Sequence, residues 1–260
     1  MTHRTDLYSG PLITIADVAC RSPACTGIAD ECATSFQAVF TRRGVFVKNS
    51  GRRNTVAEPT HVIFFDKGEE YRVTHPVAGG DDCTVYYCSD ELARELIGDS
   101  FRGHGQRVAP NVLLAQQKLR RRIHRGLASP LQIEETALHI IRALAKSRTE
   151  QRMIKRERRR LADDTRVVLA ACPSQSLTLG ALARQVASSP FHLSRVFREE
   201  VGMPIHQFHL RLRLAVALDH LSSGDTPLSP LALDLGFSSH SHFATLFKRV
   251  YGTSPSAFRA

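Results

Sequence analysis

Phe191-His192-Leu193-Ser194-Arg195-Val196-Phe197-Arg198 returns fifty residues later as Ser241-His242-Phe243-Ala244-Thr245-Leu246-Phe247-Lys248. This duplication decides the reading of the C-terminal part. Leu193 corresponds to Phe243, Val196 to Leu246, Phe197 to Phe247 and Arg198 to Lys248. Farther on, Gly202 corresponds to Gly252 and Phe208 to Phe258. Apolar residues at i, i+3 and i+4 mark one buried face of a helix. The other positions are polar or cationic, so each helix must turn a wet or charged face outward. A shorter helical stretch and a tight turn precede each copy, which predicts two helix-turn-helix units.

Working outward, Thr178 can cap a helix over Leu179–Val186, with Leu182, Ala183 and Val186 inward. Ala187-Ser188-Ser189 is the turn, and Pro190 opens the next helix where its missing N–H costs nothing. Pro204 begins a long helix, Ile205–Leu221, with an apolar stripe of Ile205, Phe208, Leu212, Ala215, Leu218 and Leu221. In the second unit the spacing predicts helices over Leu228–Leu235 and His240–Val250, with Gly236 at a left-handed turn. A short turn follows at Pro255–Phe258. Upstream, Asp163 and Asp164 suit the first turn of a helix carrying Val167, Val168 and Ala171.

The chain has 260 residues, is 42% apolar and carries a net charge of +10. Residues 1–110 hold 12 basic against 14 acidic groups, 111–160 hold 14 against 4, and 161–260 hold 9 against 7. The excess sits in the middle block, a natural match for a polyanion. Its densest part is Gln151–Leu161, with Arg152, Lys155, Arg156, Arg158, Arg159 and Arg160, read as an interdomain connector able to track phosphates. Before it, Asn111–Arg125 and Pro130–Lys146 read as an antiparallel helical hairpin ended and begun by Gly126 and Pro130, packed on itself or on a second subunit. Asp90–Ile97 is a further short helix.

From Leu12 to Tyr87 the pattern is short strands between turn residues. Candidates are Leu12–Val18, Phe36–Phe40, Val45–Lys48, His61–Phe65, Tyr71–Thr74 and Thr84–Tyr87, which argue for a small β barrel or sandwich. Asp81-Asp82, after two glycines, reads as a turn. Met1–Tyr8 lacks the apolar core of a signal peptide. No apolar run approaches the ~18 residues of a membrane span, so a cytoplasmic chain with reduced thiols is expected. Cys20, Cys25 and Cys32, and Cys83 with Cys88, are too loosely spaced for a sequence-local zinc site. No metal ligation and no cofactor are expected, and His61 and His75 read as satisfied structural residues. No nucleophile–base pair or phosphate-binding glycine loop is present, which argues against an enzyme.

Leu182-Ala183, Phe191–Phe197, Val201-Gly202-Met203-Pro204 and Leu231-Ala232-(x₃)-Gly236-Phe237-Ser238-Ser239-His240-Ser241-His242-Phe243 resemble the AraC/XylS family of bacterial transcription regulators over roughly Asp164–Arg259. The resemblance implies an all-α domain with two helix-turn-helix units bridged by a long helix, their recognition helices entering successive major-groove segments of double-stranded DNA. It also implies a cupin-like N-terminal effector domain, so the expected class is α+β multidomain. The boundaries read as 1–105 for the β domain, 106–161 for the helical hairpin and basic connector, and 162–260 for DNA binding. On the outward helix faces, the residues expected to meet DNA are Phe191, His192, Ser194, Arg195 and Arg198 in the first unit. In the second they are Ser239, His240, Ser241, Thr245, Lys248 and Arg249. Arg195 is the leading base reader, since its fork matches guanine O6 and N7. Ser194 suits base or phosphate, Phe191 a thymine methyl, and Lys248 and Arg249 phosphate. Thr245 stands where the family often has arginine, which implies weaker base reading by the second unit. RNA polymerase, a small-molecule effector and a second copy of the chain are the further partners implied. The alternative is a regulator in which the N-terminal cysteines sense metal or redox state.

Overall fold

Ile13-Thr14-Ile15-Ala16 and His61-Val62-Ile63-Phe64-Phe65 are nearly continuous apolar runs, the mark of strands covered on both faces. In a computed structural model, which describes residues 2–21, 23–24, 30–51, 53–96, 105–146, 156–224 and 226–259, they lie inside a six-stranded antiparallel sheet. The strands are β1 (Thr2–Ser9), β2 (Ile13–Cys20), β3 (Glu31–Cys32), β4 (Phe36–Gly44), β5 (Phe46–Ser50), β6 (Arg53–Ala57), β7 (His61–Phe65), β8 (Glu70–Thr74), β9 (Asp81–Cys88) and β10 (Gly105–Arg107). The larger sheet runs β1-β2-β9-β4-β7-β10 and the smaller β3-β8-β5-β6. Side chains alternate across the larger sheet. Val39, Ile63, Phe65, Cys83 and Val85 meet Phe46 and Ala57 of the smaller one. Ile13, Ile15, Phe40, Val62, Phe64 and Tyr86 join the helical core on the other side.

The sheet order is open, with β1 and β10 at its edges. A closed barrel is therefore corrected to two facing sheets. Asp81 and Asp82 open β9 and are not a turn; Asp81 pairs with Cys20 across the β2–β9 ladder. The N-terminal residues form the polar edge strand β1.

The helices are α1 (Asp90–Leu96), α2 (Pro110–His124), α3 (Pro130–Lys146), α4 (Arg156–Ala171), α5 (Leu179–Gln185), α6 (Pro190–Val201), α7 (Ile205–Ser223), α8 (Leu228–Asp234), α9 (His240–Tyr251) and α10 (Pro255–Arg259). α4 begins earlier than Asp163 because Arg156–Leu161 are good helix formers with no breaker among them. The basic run is thus partly the first turns of a helix, while Arg152 and Lys155 of that run, like Cys25 and Ile97, lie outside the described residues. The α2–α3 hairpin packs within the chain: Val112, Leu113 and Leu119 share a core with Leu214, Leu218, Phe247 and Phe258. Among the described residues no helix is long and apolar enough to cross a membrane.

α7 departs from a one-sided stripe. Leu212, Arg213, Leu214, Ala215, Val216, Ala217, Leu218 and Asp219 are all buried, because α2, the β half and both helix-turn-helix units surround it. Among the contacts that fix the β half to the helices, three are clasps built on arginine. In the largest, the β-bulge between Thr41 and Arg43 breaks the alternation of side chains. Arg42 and Arg43 can then both reach buried Asp219 of α7, at 3.1 and 2.5 Å. Arg120 of α2 joins them at 3.7 Å from Asp219 and 2.7 Å from Asp17 of β2. In the second, Arg166 of α4 donates to the Val56 carbonyl at 3.0 Å and to buried Glu58 at 3.2 Å. In the third, Arg107 of β10 donates to the Val201 carbonyl at the end of α6, at 3.1 Å.

Candidate nucleic-acid interface

The duplicated sequence folds into duplicated local geometry. Ser189 and Ser239 are the N-caps of α6 and α9, and each side-chain oxygen accepts from the N–H three residues on, of His192 and His242. Such a cap satisfies one of the donors that the first turn leaves open. Gly202 and Gly252 end the two helices, both at φ 74°, a left-handed conformation that favours glycine. Phe197 packs on Phe208 with ring centroids 5.3 Å apart, and its counterpart Phe247 on Phe258 at 6.3 Å. Leu193, Val196 and Phe197 are fully buried, as are Phe243 and Phe247, with Leu246 nearly so.

The outward faces carry the residues expected there. Phe191, His192, Ser194, Arg195 and Arg198 are exposed on α6, and His240, Ser241, Lys248 and Arg249 on α9, with Thr245 beside them. Phe191 is 83% exposed. Among the described residues Arg195 makes one long contact, to His192 Nδ1 at 3.5 Å, and its side chain is exposed. Ser239 is exposed too, but its Oγ accepts from the His242 N–H at 3.1 Å, so its first task is capping. The acidic end of α6 is neutralised from outside: Arg158 of α4 pairs with Glu199 and, at 3.7 Å, with Glu200. That commits one arginine of the basic run to the fold, while Arg159 and Arg160 stay exposed.

The residue that ties the two units together was absent from the sequence reading. Arg213 of α7 donates to the carbonyls of Pro173 at 2.8 Å and Gln175 at 3.1 Å, in the loop before the first unit. It also donates to the Gly236 carbonyl in the turn of the second, at 2.6 Å. Gly236 sits at φ +78°, and a Cβ there would lie 2.4 Å from the Ser174 carbonyl oxygen and 3.0 Å from the Arg213 guanidinium. Glycine is therefore required twice, for conformation and for space. Only the turn signal at Gly236 was legible; a buried arginine gathering carbonyls from distant loops leaves no local pattern. The corresponding turn position of the first unit is Ala187, the one non-glycine residue with positive φ (49°) among the described residues.

Residues 182–260 match a helix-turn-helix domain family. The chain is similar to the HTH-type transcriptional activator AarP of Providencia stuartii, with 36% identity over 83 residues, 32% of this chain and 62% of that protein. It is also similar to the arabinose operon regulatory protein of Escherichia coli, with 32% identity over 82 residues, 32% of this chain and 28% of that protein. It thus spans less than two thirds of the length of either relative. Among solved structures, ToxT from Vibrio cholerae aligns over 95% of this chain and 98% of that one, at 12% identity and a TM-score of 0.38. Residues 182–260 thus form a helix-turn-helix domain similar to that of AraC-type transcriptional regulators.

Proposed function

We propose that this protein regulates transcription by reading two successive major-groove segments of one DNA face, with α6 and α9 as the recognition helices. The observation that carries the reading is the doubled outward surface: two identically capped helices, each burying one face and presenting cations and hydroxyls on the other. α7 has 19 residues, about 28 Å of helix. That length suits a separation of recognition helices near one duplex turn, about 34 Å. Arg195 is the base reader of the first unit, with Phe191, His192 and Ser194 beside it and Arg198 toward phosphate. His240, Ser241 and Thr245 read in the second, Lys248 and Arg249 meet phosphate, and Ser239 holds the helix start. The β half modulates this activity through its clasps on α4, α6 and α7, in answer to a small-molecule effector or to self-association. RNA polymerase is the downstream partner, and the DNA partner implies a cytoplasmic chain.

The test combines selection of bound genomic fragments with footprinting and an Arg195→Ala variant. The expected footprint is about two helical turns per protomer, with affinity falling steeply as salt rises. Arg195→Ala is expected to weaken specific sites by roughly 1–3 kcal/mol and to relax base choice at one position. Equal weakening on specific and random DNA would remove Arg195 from the base-reading role.

A further inference from the structure

Three chemically different side chains from separate segments converge at one end of the β half. Cys20 is the last residue of β2 and stands opposite Asp81, the first residue of β9. His75 follows β8 directly, and residues 76–80 turn the chain back into β9. The Cys20 Sγ, a ring nitrogen of His75 and a carboxylate oxygen of Asp81 all lie within 4.8 Å of one another. His75 and Asp81 are buried, 5% and 7% exposed, and Cys20 is half-buried. His75 Nε2 is 2.7 Å from Asp81 Oδ1. The other carboxylate oxygen, Oδ2, accepts from Cys83 Sγ at 2.9 Å, which orients the group. Thr2 Oγ1 approaches Cys20 Sγ at 3.8 Å. Arg21 caps the edge, donating to the Asp81 carbonyl at 3.4 Å and to Asp82 at 2.6 Å.

We propose that Cys20, His75 and Asp81 form a mononuclear binding site for a divalent zinc-class cation, with the fourth position left to water. One sulfur, one nitrogen and one oxygen donor is a set that a borderline-soft cation accepts in tetrahedral geometry. Metal–ligand bonds of about 2.0–2.3 Å place tetrahedral donors roughly 3.3–3.7 Å apart. The Cys20 sulfur needs to approach the other two donors by at most roughly 1.5 Å, while His75 and Asp81 open slightly. On binding, the Cys20 thiol releases its proton to solvent and its sulfur bonds the metal. For His75 Nε2 and Asp81 Oδ1 to become ligands, the ring keeps one proton on Nδ1 and any proton on Nε2 leaves to solvent. The Cys83 thiol on Oδ2 then serves as the outer partner that such carboxylate ligands usually have. The spacing of the cysteines hid this site, because only one of them takes part and its partners lie more than fifty residues away.

The site adjoins the strand that holds the DNA-binding part. Asp82 pairs with Arg43 across the β4–β9 ladder, beside the bulge that sends Arg42 and Arg43 to Asp219. A cation bound at Asp81 therefore acts one residue from the main clasp on α7. This goes beyond the DNA-reading proposal and is tested without DNA.

The experiment is equilibrium dialysis of the full chain, under reducing conditions, against Zn²⁺ and against Co²⁺. One equivalent of each is expected, with a thiolate-to-cobalt charge-transfer absorption in the Co²⁺ form. Cys20→Ser abolishes that absorption, Asp81→Asn weakens binding at least tenfold, and Cys32→Ser and Cys172→Ser, at the exposed thiols, change neither. Circular dichroism of each metal-free variant establishes that it is folded. Cys20→Ser is not expected to disturb the fold, since serine differs by one atom at a half-buried strand end. No stoichiometric metal in the wild-type chain, or an absorption that survives in Cys20→Ser, overturns the proposal. So does binding that disappears with Cys32 or Cys172.

Discussion

Ala187 and Asp219 show how much a single position can cost this fold. Ala187 occupies the left-handed turn position that glycine fills in the second unit, at φ 49°. A Cβ in that region costs roughly 1 kcal/mol or more. Ala187→Gly is accordingly expected to raise stability by about 1 kcal/mol in a urea titration; an unchanged or lowered midpoint would show that the turn is unstrained. Asp219 is fully buried between Arg42 and Arg43, with Arg120 close by. Burial works against its charge, yet Arg42, Arg43 and Arg120 outweigh it and hold the carboxyl below its ordinary range. Asp219→Ala leaves those cations without their shared anion and is expected to destabilise the chain by about 3–5 kcal/mol. Arg195→Ala, at an exposed position, should stay within about 0.5 kcal/mol of wild type. Equal midpoints for the two variants would remove the clasp from the list of stabilising features.

At the scale of elements, the helices of the repeat were legible because their signals are local. The i, i+3, i+4 pattern, the Ser189 and Ser239 caps, Pro190 and the glycines at 202 and 252 all act within one or two turns, and the helix limits fall within a residue or two of expectation. Strand β1 was illegible because it is an edge: five of its first residues, Thr2 to Asp6, are exposed and show no apolar alternation. Asp81 read as a turn because its partner His75, which lets a carboxylate sit buried in a strand, is invisible to any window on Asp81 alone. The surround of α7 was hidden for the same reason, since Arg42 lies 177 residues from Asp219. Of the candidate interface, the outward residues were readable from helical spacing. Arg213, which sets one unit against the other, was not. Arg213→Met keeps the length of the side chain and removes its carbonyl contacts. It should leave each helix formed but weaken binding to two-segment DNA sites far more than to a single segment. An equal loss on both would mean that Arg213 only stabilises the fold.

For the whole molecule, the clasps make stability depend on acid. Burial acts against the Glu58 carboxylate, but the neighbouring His61 ring and the Arg166 guanidinium outweigh it and bring its pKa down to about 2. Burial, with Arg166 beside it, also lowers the His61 pKa, so at neutral pH Arg166 is the lasting cation opposite Glu58. Asp17 is likewise depressed: burial opposes its charge, and hydrogen bonds from His124 and Arg120 with the nearby Arg42 prevail. Because the folded values lie below the ordinary carboxylate value of about 4, this stabilisation is complete above that pH. It is lost as pH falls toward 2. Thermal melts across that range should show the midpoint dropping most steeply between about pH 4 and 2. A loss centred near pH 6 would point to histidine instead.

The helical hairpin has a practical corollary for anyone dissecting the chain. Helix α2 lies against α7 and α9, and Arg121 donates to the terminal carbonyls of Phe258 and Arg259. A fragment cut at residue 162 would strip that wall away, baring Leu214, Leu218 and their neighbours to solvent and inviting self-adhesion. A fragment cut at Pro110 would carry its own lining, and of the two it should be the one that stays dispersed at the concentrations needed for co-crystallisation with an oligonucleotide duplex.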